Sequence, residues 1–415
     1  MGENMIDNFL RGLVEKEWKI GKSGKYKIAF LDVLLVVFAT IFACCIRFAL
    51  RDVVAGDYKV FFEPWVATLR EAGGGFKGLS AEFEYVDYTT PYLTILSFIS
   101  ICPFFNTLYL MKMVSIFFDF VAAIAVAFIV YEGTQDKRKA LMTYTVMLFV
   151  PTIVANGSMW AQCDIIFTSF VMLSLLFMLK DKPNLSLIFY GIAFSFKLQT
   201  LFIAPLYLLL WVKKKMKIQH FLWLPVVYFI TVIPAWAAGQ NLWDLLTVYI
   251  FQANGEMDIY ALSHKFPNIY QIIGTDSFLR EYADAGIYFT LAVLMVLLYY
   301  IARKNFVFTK DLIIRMGMFF VMVVVYFLPH MHERYGILAD VLGVVVAFYN
   351  PKKFYVPIIA ITCSFAGYTM YLAQSTVIPL WVYAILYLGL IIDLGIGIYK
   401  DINGIGDKKC IPAEN

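Results

Sequence analysis

The chain has 415 residues, of which 61% are hydrophobic and 15% charged, with a formal net charge of +4 and a mean hydropathy of +0.74. So little polar surface cannot cover a soluble domain, so the bilayer is the solvent for most of the chain. The small charge, confined to loops, excludes a nucleic-acid binder. Aromatics make up 18%, with 27 Tyr and 8 Trp, which suits the belts that rings form at membrane interfaces. Six cysteines (Cys44, Cys45, Cys102, Cys163, Cys363 and Cys410) show no paired metal spacing and predict no disulfide framework.

No cleavable signal peptide is expected, because the first apolar run is too long for one and follows a polar-rich leader, residues 1–27. The leader places Ile6, Phe9, Leu10, Leu13 and Val14 on one helical face, as a short helix lying on the cytoplasmic membrane surface would. Apolar runs then recur at 28–49, 107–131, 140–157, 164–180, 185–197, 200–212, 219–238, 286–302, 312–329, 335–349, 354–372 and 378–399. Read as crossings of a ~30 Å hydrocarbon core, they predict an all-α polytopic membrane protein of about twelve transmembrane helices. One membrane domain, 28–399, is followed by a tail, 400–415. Lys16 to Lys27, Lys137-Arg138-Lys139, Lys180 to Lys182, Lys213-Lys214-Lys215, Arg303-Lys304, Lys352-Lys353 and Lys408-Lys409 then fall on one side. The positive-inside bias makes that side the cytoplasm and puts both termini there.

The first extracytoplasmic loop, 51–106, holds two Asp-Tyr pairs, Asp57-Tyr58 and Asp87-Tyr88, and three consecutive glycines. Long connections of this kind are usually functional. Its segment 92–105 is apolar but short and meets Pro103, which predicts an interfacial or re-entrant helix rather than a span. The runs 185–197 and 200–212 are also short, and Lys197-Leu198-Gln199 separates them. A lysine in such a place needs an anion, either a structural carboxylate or a substrate phosphate.

The polar outliers gather on the outer side in this topology. They are Asp57, Asp87, the turn from Asn156 to Asp164, Lys197, Gln199, the turn from Pro329 to Tyr335, and the second large loop, 239–285, with Asn254, Tyr260, His264, Lys265 and Asn268. Asn156-Gly157-Ser158 also matches the N-glycosylation pattern, though it abuts a span. Trp160 and Asp164 share a face if helical, with Gln162 pointing elsewhere; His330 shares one with Glu333 and Arg334. Arg334 suits two-point recognition of a phosphate. His330, His332 and Glu333 leave zinc open, but no second helix-spaced pair and no cysteine join them, so no metal is expected. Asp119, Asp340 and Asp393 are expected to pair inside the bundle.

The order is a loop Asp-Tyr, then Asp87-Tyr88-Thr89-Thr90-Pro91, Trp160-Ala161-Gln162 with Asp164, Lys197 with Gln199, and His330 with His332-Glu333-Arg334. From about Arg51 to Leu342 this resembles the bacterial branch of the GT-C glycosyltransferases related to the GPI second-mannose mannosyltransferase. It is similar, more distantly, to dolichyl-phosphate-glucose glucosyltransferases. The resemblance implies a GT-C-like fold and transfer of a hexose (mannose, glucose or galactose) from a polyprenyl-phosphate carrier, probable inversion included. The acceptor would be a glycan, glycolipid or cell-wall polymer at the outer membrane face. It puts the catalytic base at Asp57, with Lys197, Arg334 and His332 on the donor phosphate. Tyr58, Asp87, Trp160, Gln162, Asp164, Gln199, His330 and Glu333 are the supporting residues. Lys and Arg can steady a lipid phosphate without a divalent metal, so no cofactor is expected. The rival from another class is a transporter or flippase of a lipid-linked saccharide, which would place its polar groups near the midplane and show internal repeats.

Overall fold

In a computed structural model the described residues are 12, 17–20, 26–83, 86, 88–253, 261–275 and 280–405. Asp87, Asn254, Tyr260, Cys410 and the apolar face of the leader fall outside them. Glu17–Ile20 of the leader pairs antiparallel with Tyr26–Ala29, and the first long helix starts at Phe30.

Among the described residues six helices are long and apolar enough to cross a membrane: Phe30–Ala49, Thr107–Thr134, Ile218–Ala237, Glu281–Arg303, Pro351–Leu372 and Leu380–Ile402. A bent pair, Lys137–Met147 with Pro151–Met159, makes a seventh if taken as one span. The remaining expected crossings fall on shorter helices. Asp164–Leu179, Pro183–Phe196, Leu198–Val212 and Ile337–Tyr349 are each under eighteen residues, and Lys310–Phe327 carries three charges. Asp164–Leu179 is buried on nearly every side, so protein rather than lipid solvates it and bilayer thickness does not dictate its length.

Sequence fixes where these helices begin. Proline stands at the first or second position of Glu63–Glu71, Thr90–Ser100, Pro183–Phe196 and Ala204–Val212, where its missing N–H is not needed. Asn106 caps Thr107–Thr134 through the amide of Leu108. Asp136 caps Lys137–Met147 through the amides of Arg138 and Lys139.

The first loop is a folded unit. A π-helical turn, Tyr58–Phe62, leads into Glu63–Glu71, and Thr90–Ser100 packs beside it. Tyr58, Phe62, Trp65, Tyr88 and Tyr92 form its aromatic core. Gly73, Gly74 and Gly75 turn the chain between these helices at φ of 107°, 64° and 52°, a run of left-handed backbone that only glycine adopts without strain. Lys112 anchors the start of the loop by donating to the carbonyls of Leu50, Arg51 and Val53 at 2.9, 3.0 and 2.7 Å. It satisfies the end of the first span and sets the point from which the chain runs to Asp57.

Charged groups inside the bundle are matched. Arg47 meets Asp119 at 2.9 Å and donates to the Leu148 carbonyl. Asp340 accepts from Thr152 and Ser364, and Asp393 pairs with Lys353. The basic helix ends meet one another: Lys310 pairs with Glu132, Lys213 donates to the Lys304 carbonyl, and Tyr349 donates to the Ile129 carbonyl. The opposite ends hold the polar cluster described next.

Candidate functional site

Asp57 lies between the first span and the π-helical turn, with 16% of its side chain exposed. Its Oδ2 accepts from Trp160 Nε1 at 3.0 Å and from Gln162 Nε2 at 2.6 Å. Its Oδ1 accepts from the hydroxyl of Tyr371. A carboxylate offers about four acceptor positions; three are filled, and the fourth, on Oδ1, is left.

Local backbone explains how two side chains on one short stretch reach one carboxylate. Residues 160–163 are not helical, and Ala161 sits at φ 62°, a conformation uncommon for alanine. The kink aims both Trp160 and Gln162 at Asp57, which corrects the helical reading that turned Gln162 away. Tyr88 donates to Gln162 Oε1 at 3.2 Å, which orients the amide so that its N–H faces Asp57. Trp160 and Tyr371 stack at 4.4 Å and 17°, with Arg334 5.3 Å from the Trp160 ring centre and Lys265 5.2 Å from that of Tyr371.

Beneath Asp57 runs an ionic network. Lys197 stands at the extended break after Pro183–Phe196, 7% exposed, with Nζ 2.5 Å from Asp164 Oδ1. Of the two anions open to this lysine, the fold supplies the carboxylate. Asn156 Nδ2 donates to Asp164 Oδ2 at 2.9 Å. Arg334 lies 3.0 Å from Glu333, 3.6 Å from Asp164 and 4.0 Å from Asp57. Burial pushes the Glu333 carboxyl up to about 7, against the pull of Arg334.

The loop bearing Arg334 is not helical either, so the shared face expected for His330, Glu333 and Arg334 does not form. Met331–His332 pairs in parallel with Ser263–His264, and His330 is left-handed at φ 62°. His332 stacks on His264 at 4.4 Å with its Nδ1 4.0 Å from Glu333, while His330 turns to the Ala261 carbonyl. Among the described residues no group of three His, Cys, Asp or Glu is placed to hold a metal ion. Helical Gly367, one turn before Tyr371, lets both loops close on it: a Cβ there would lie 2.9 Å from the Lys265 carbonyl and 3.0 Å from Glu333 Cβ.

The structure therefore gathers Asp57, Trp160, Gln162, Asp164, Lys197, Glu333 and Arg334. Gln199 is buried at the Lys197 break, its Oε1 without a hydrogen bond. Tyr58 faces the aromatic core of the loop rather than this cluster. Asn156 belongs to the network through its side chain, with no role as a glycosylation site visible in its fully buried position. Sequence reasoning missed Tyr371, and Tyr368, whose hydroxyl accepts from Asn156 Nδ2 at 3.2 Å; the only signal of either is a tyrosine near the end of an apolar run, the usual mark of an interfacial anchor.

The fold is similar to that in the crystal structure of ArnT from Cupriavidus metallidurans in the apo state, with a TM-score of 0.51 and 13% identity over 90% of this chain and 78% of that chain. At that identity the likeness is one of fold. No family model matches the chain, and no curated protein matches it significantly.

Proposed function

We propose that the chain is a GT-C membrane glycosyltransferase that moves a hexose from a polyprenyl-phosphate carrier to an acceptor on the outer face of the membrane, with Asp57 as the general base. The fold shared with ArnT, itself a GT-C glycosyltransferase, supports the class. The acceptor position left on Asp57 Oδ1 carries the reading of the chemistry. Trp160, Gln162 and Tyr371 hold the carboxylate in one orientation and leave it one place to receive a proton.

In this reading an acceptor hydroxyl donates to Oδ1. Its oxygen attacks the anomeric carbon as Asp57 takes the proton, the carbon–phosphate-oxygen bond breaks, and the lipid phosphate leaves with the electron pair. Attack from the face opposite the phosphate inverts the anomeric centre. The phosphate gains a negative charge as it leaves, so cations near it lower the barrier. Arg334, His332 and Lys197 are in this reading the basic groups that line that side of the site, with Lys197 held by Asp164 and Arg334 held by Glu333. The relation to the GPI second-mannose enzyme, the twelve crossings with cytoplasmic termini, and the hexose itself belong to the same proposal. So does an acceptor that is a glycan, glycolipid or cell-wall polymer.

The test incubates the purified protein with a panel of polyprenyl-phosphate sugars and measures release of the carrier phosphate. Release from at least one sugar donor, dependent on added acceptor, is the expected outcome. Silence across mannosyl, glucosyl and galactosyl donors, with the protein folded, would refute it.

A further inference from the structure

We infer that Lys265 is the side chain that takes the phosphate of the lipid-linked donor, an assignment that rests on the glycosyltransferase reading above.

Charge balance is the first reason. The cluster beneath Asp57 holds two cations, Lys197 and Arg334, against three carboxylates, Asp57, Asp164 and Glu333. With Lys197 and Arg334 already balanced by Asp57 and Asp164, the cluster has no surplus positive charge to offer an arriving phosphate. To reach Lys197 it must also displace a carboxylate from a buried contact at 2.5 Å, and the carboxylate so released would be stranded away from water. Lys197 and Arg334 are each held in a buried ion pair, at 2.5 Å to Asp164 and 3.0 Å to Glu333.

Lys265 differs in each respect. It is half-buried, and among the described residues no carboxylate lies within ion-pair distance of it. Its Nζ stands 5.2 Å from the ring centre of Tyr371, whose hydroxyl donates to Asp57. The cation is therefore one aromatic ring away from the proposed base.

The backbone shows that this placement is built in. Lys265 sits at φ 66°, a left-handed conformation that is uncommon for a lysine and persists where surrounding structure enforces it. Enforcement comes from the bridge between Lys265 and His332, continuing the pairing of His264 with His332, and from the Lys265 carbonyl lying against Gly367. The two loops and the helix that carries Tyr371 hold the lysine over the ring.

Its chemistry suits the step. The donor phosphodiester is a monoanion, and the released phosphomonoester gains further negative charge when the bond to the anomeric carbon breaks. A cation without a competing carboxylate binds the leaving group more strongly than the intact donor, which favours the transition state.

The experiment uses the full chain in detergent, with undecaprenyl phosphate, uncharged undecaprenol and inorganic phosphate as probes. Wild type should bind undecaprenyl phosphate at least tenfold more tightly than undecaprenol. Lys265→Gln should shrink that preference about tenfold to a hundredfold, as expected for losing a charged hydrogen bond, with undecaprenol binding unchanged. Lys265→Arg should keep most of it. Undecaprenyl phosphate, but not undecaprenol, should also protect Lys265 of the wild-type protein from an amine-acylating reagent, read by mass spectrometry, so the outcome does not hang on a variant that folds. A full phosphate preference in Lys265→Gln, or no protection despite binding, would overturn the assignment and leave the glycosyltransferase reading standing. No phosphate preference in wild type would overturn both. Inorganic phosphate competing as well as undecaprenyl phosphate would overturn the lipid source.

Discussion

Replacing Asp57 by asparagine removes the proton acceptor while keeping its shape, and the structure shows how the variant is accommodated. The amide oxygen can take the place of Oδ2 and accept from Trp160 and Gln162, which stand 3.0 and 2.6 Å away. The amide nitrogen then replaces Oδ1 and faces Tyr371, whose hydroxyl can turn to accept instead of donate. Arg334 keeps Glu333 at 3.0 Å and Asp164 at 3.6 Å, so it is not orphaned by the loss of a third carboxylate 4.0 Å away. Fold and donor affinity should therefore survive. The lost function is proton abstraction, for which a positioned base contributes ~10²–10⁴-fold, or about 3–5 kcal/mol at 1.36 kcal/mol per decade. Turnover should fall at least a hundredfold in a carrier-release assay, with undecaprenyl phosphate binding within about twofold of wild type. Turnover within threefold of wild type would show that Asp57 is not the base.

Breaking a buried ion pair by removing one partner typically destabilises by about 3–5 kcal/mol. Lys197→Gln should fall at the lower end because Asp164 keeps Asn156 and Arg334. The double variant with Asp164→Asn should lose less than the sum in denaturant unfolding; strict additivity would mean the 2.5 Å contact is energetically idle. Glu333 supplies a pH dependence. Its carboxyl, raised from 4.5 to about 7 by burial, binds its proton more tightly folded than unfolded. Stability is therefore lost as pH rises from about 4.5 through 7, by about 3 kcal/mol. Melting curves of wild type should decline across that window and those of Glu333→Gln should not; parallel curves would refute the account. Lys112→Met leaves the carbonyls of Leu50, Arg51 and Val53 without their donor and should lower kcat about tenfold through Asp57 while KM for the donor changes little. Equal changes in both would show that Lys112 does not act through the base.

Much of this cluster was legible because its members are chemically out of place. An acid in a long loop, a lysine between short apolar runs and an Arg-Glu pair between hydrophobic helices each break the pattern of a membrane chain. What the pattern could not show was backbone direction. Spacing arguments assume helix, but left-handed residues at Ala161 and His330 replace helix at both turns. They send Trp160 and Gln162 to the same carboxylate and His330 away from Arg334. Tyr371 was illegible for another reason. It lies 314 residues from Asp57, one tyrosine among 27, and only the packing of its helix on the first loop selects it. The number of crossings was obscured similarly, since helices enclosed by protein, such as Asp164–Leu179, need not match the bilayer in length.

The distribution of paired charge also favours the proposed transferase over a transporter. A transporter moves its cargo past polar groups near the middle of the bundle, around broken helices, and those groups must exchange partners as it cycles. Here the ionic groups within the helices are buried and partnered within the bundle. Arg47 is committed to Asp119 and to the Leu148 carbonyl, and Asp340 to two hydroxyls. The open position on Asp57 and Lys265 across the Tyr371 ring stand at one end of the bundle. Among the described residues, an open acceptor position on Asp57 and a half-buried lysine with no carboxylate within ion-pair distance, both fixed by loops that meet at helix ends, fit the proposed joining of two substrates better than the passage of one.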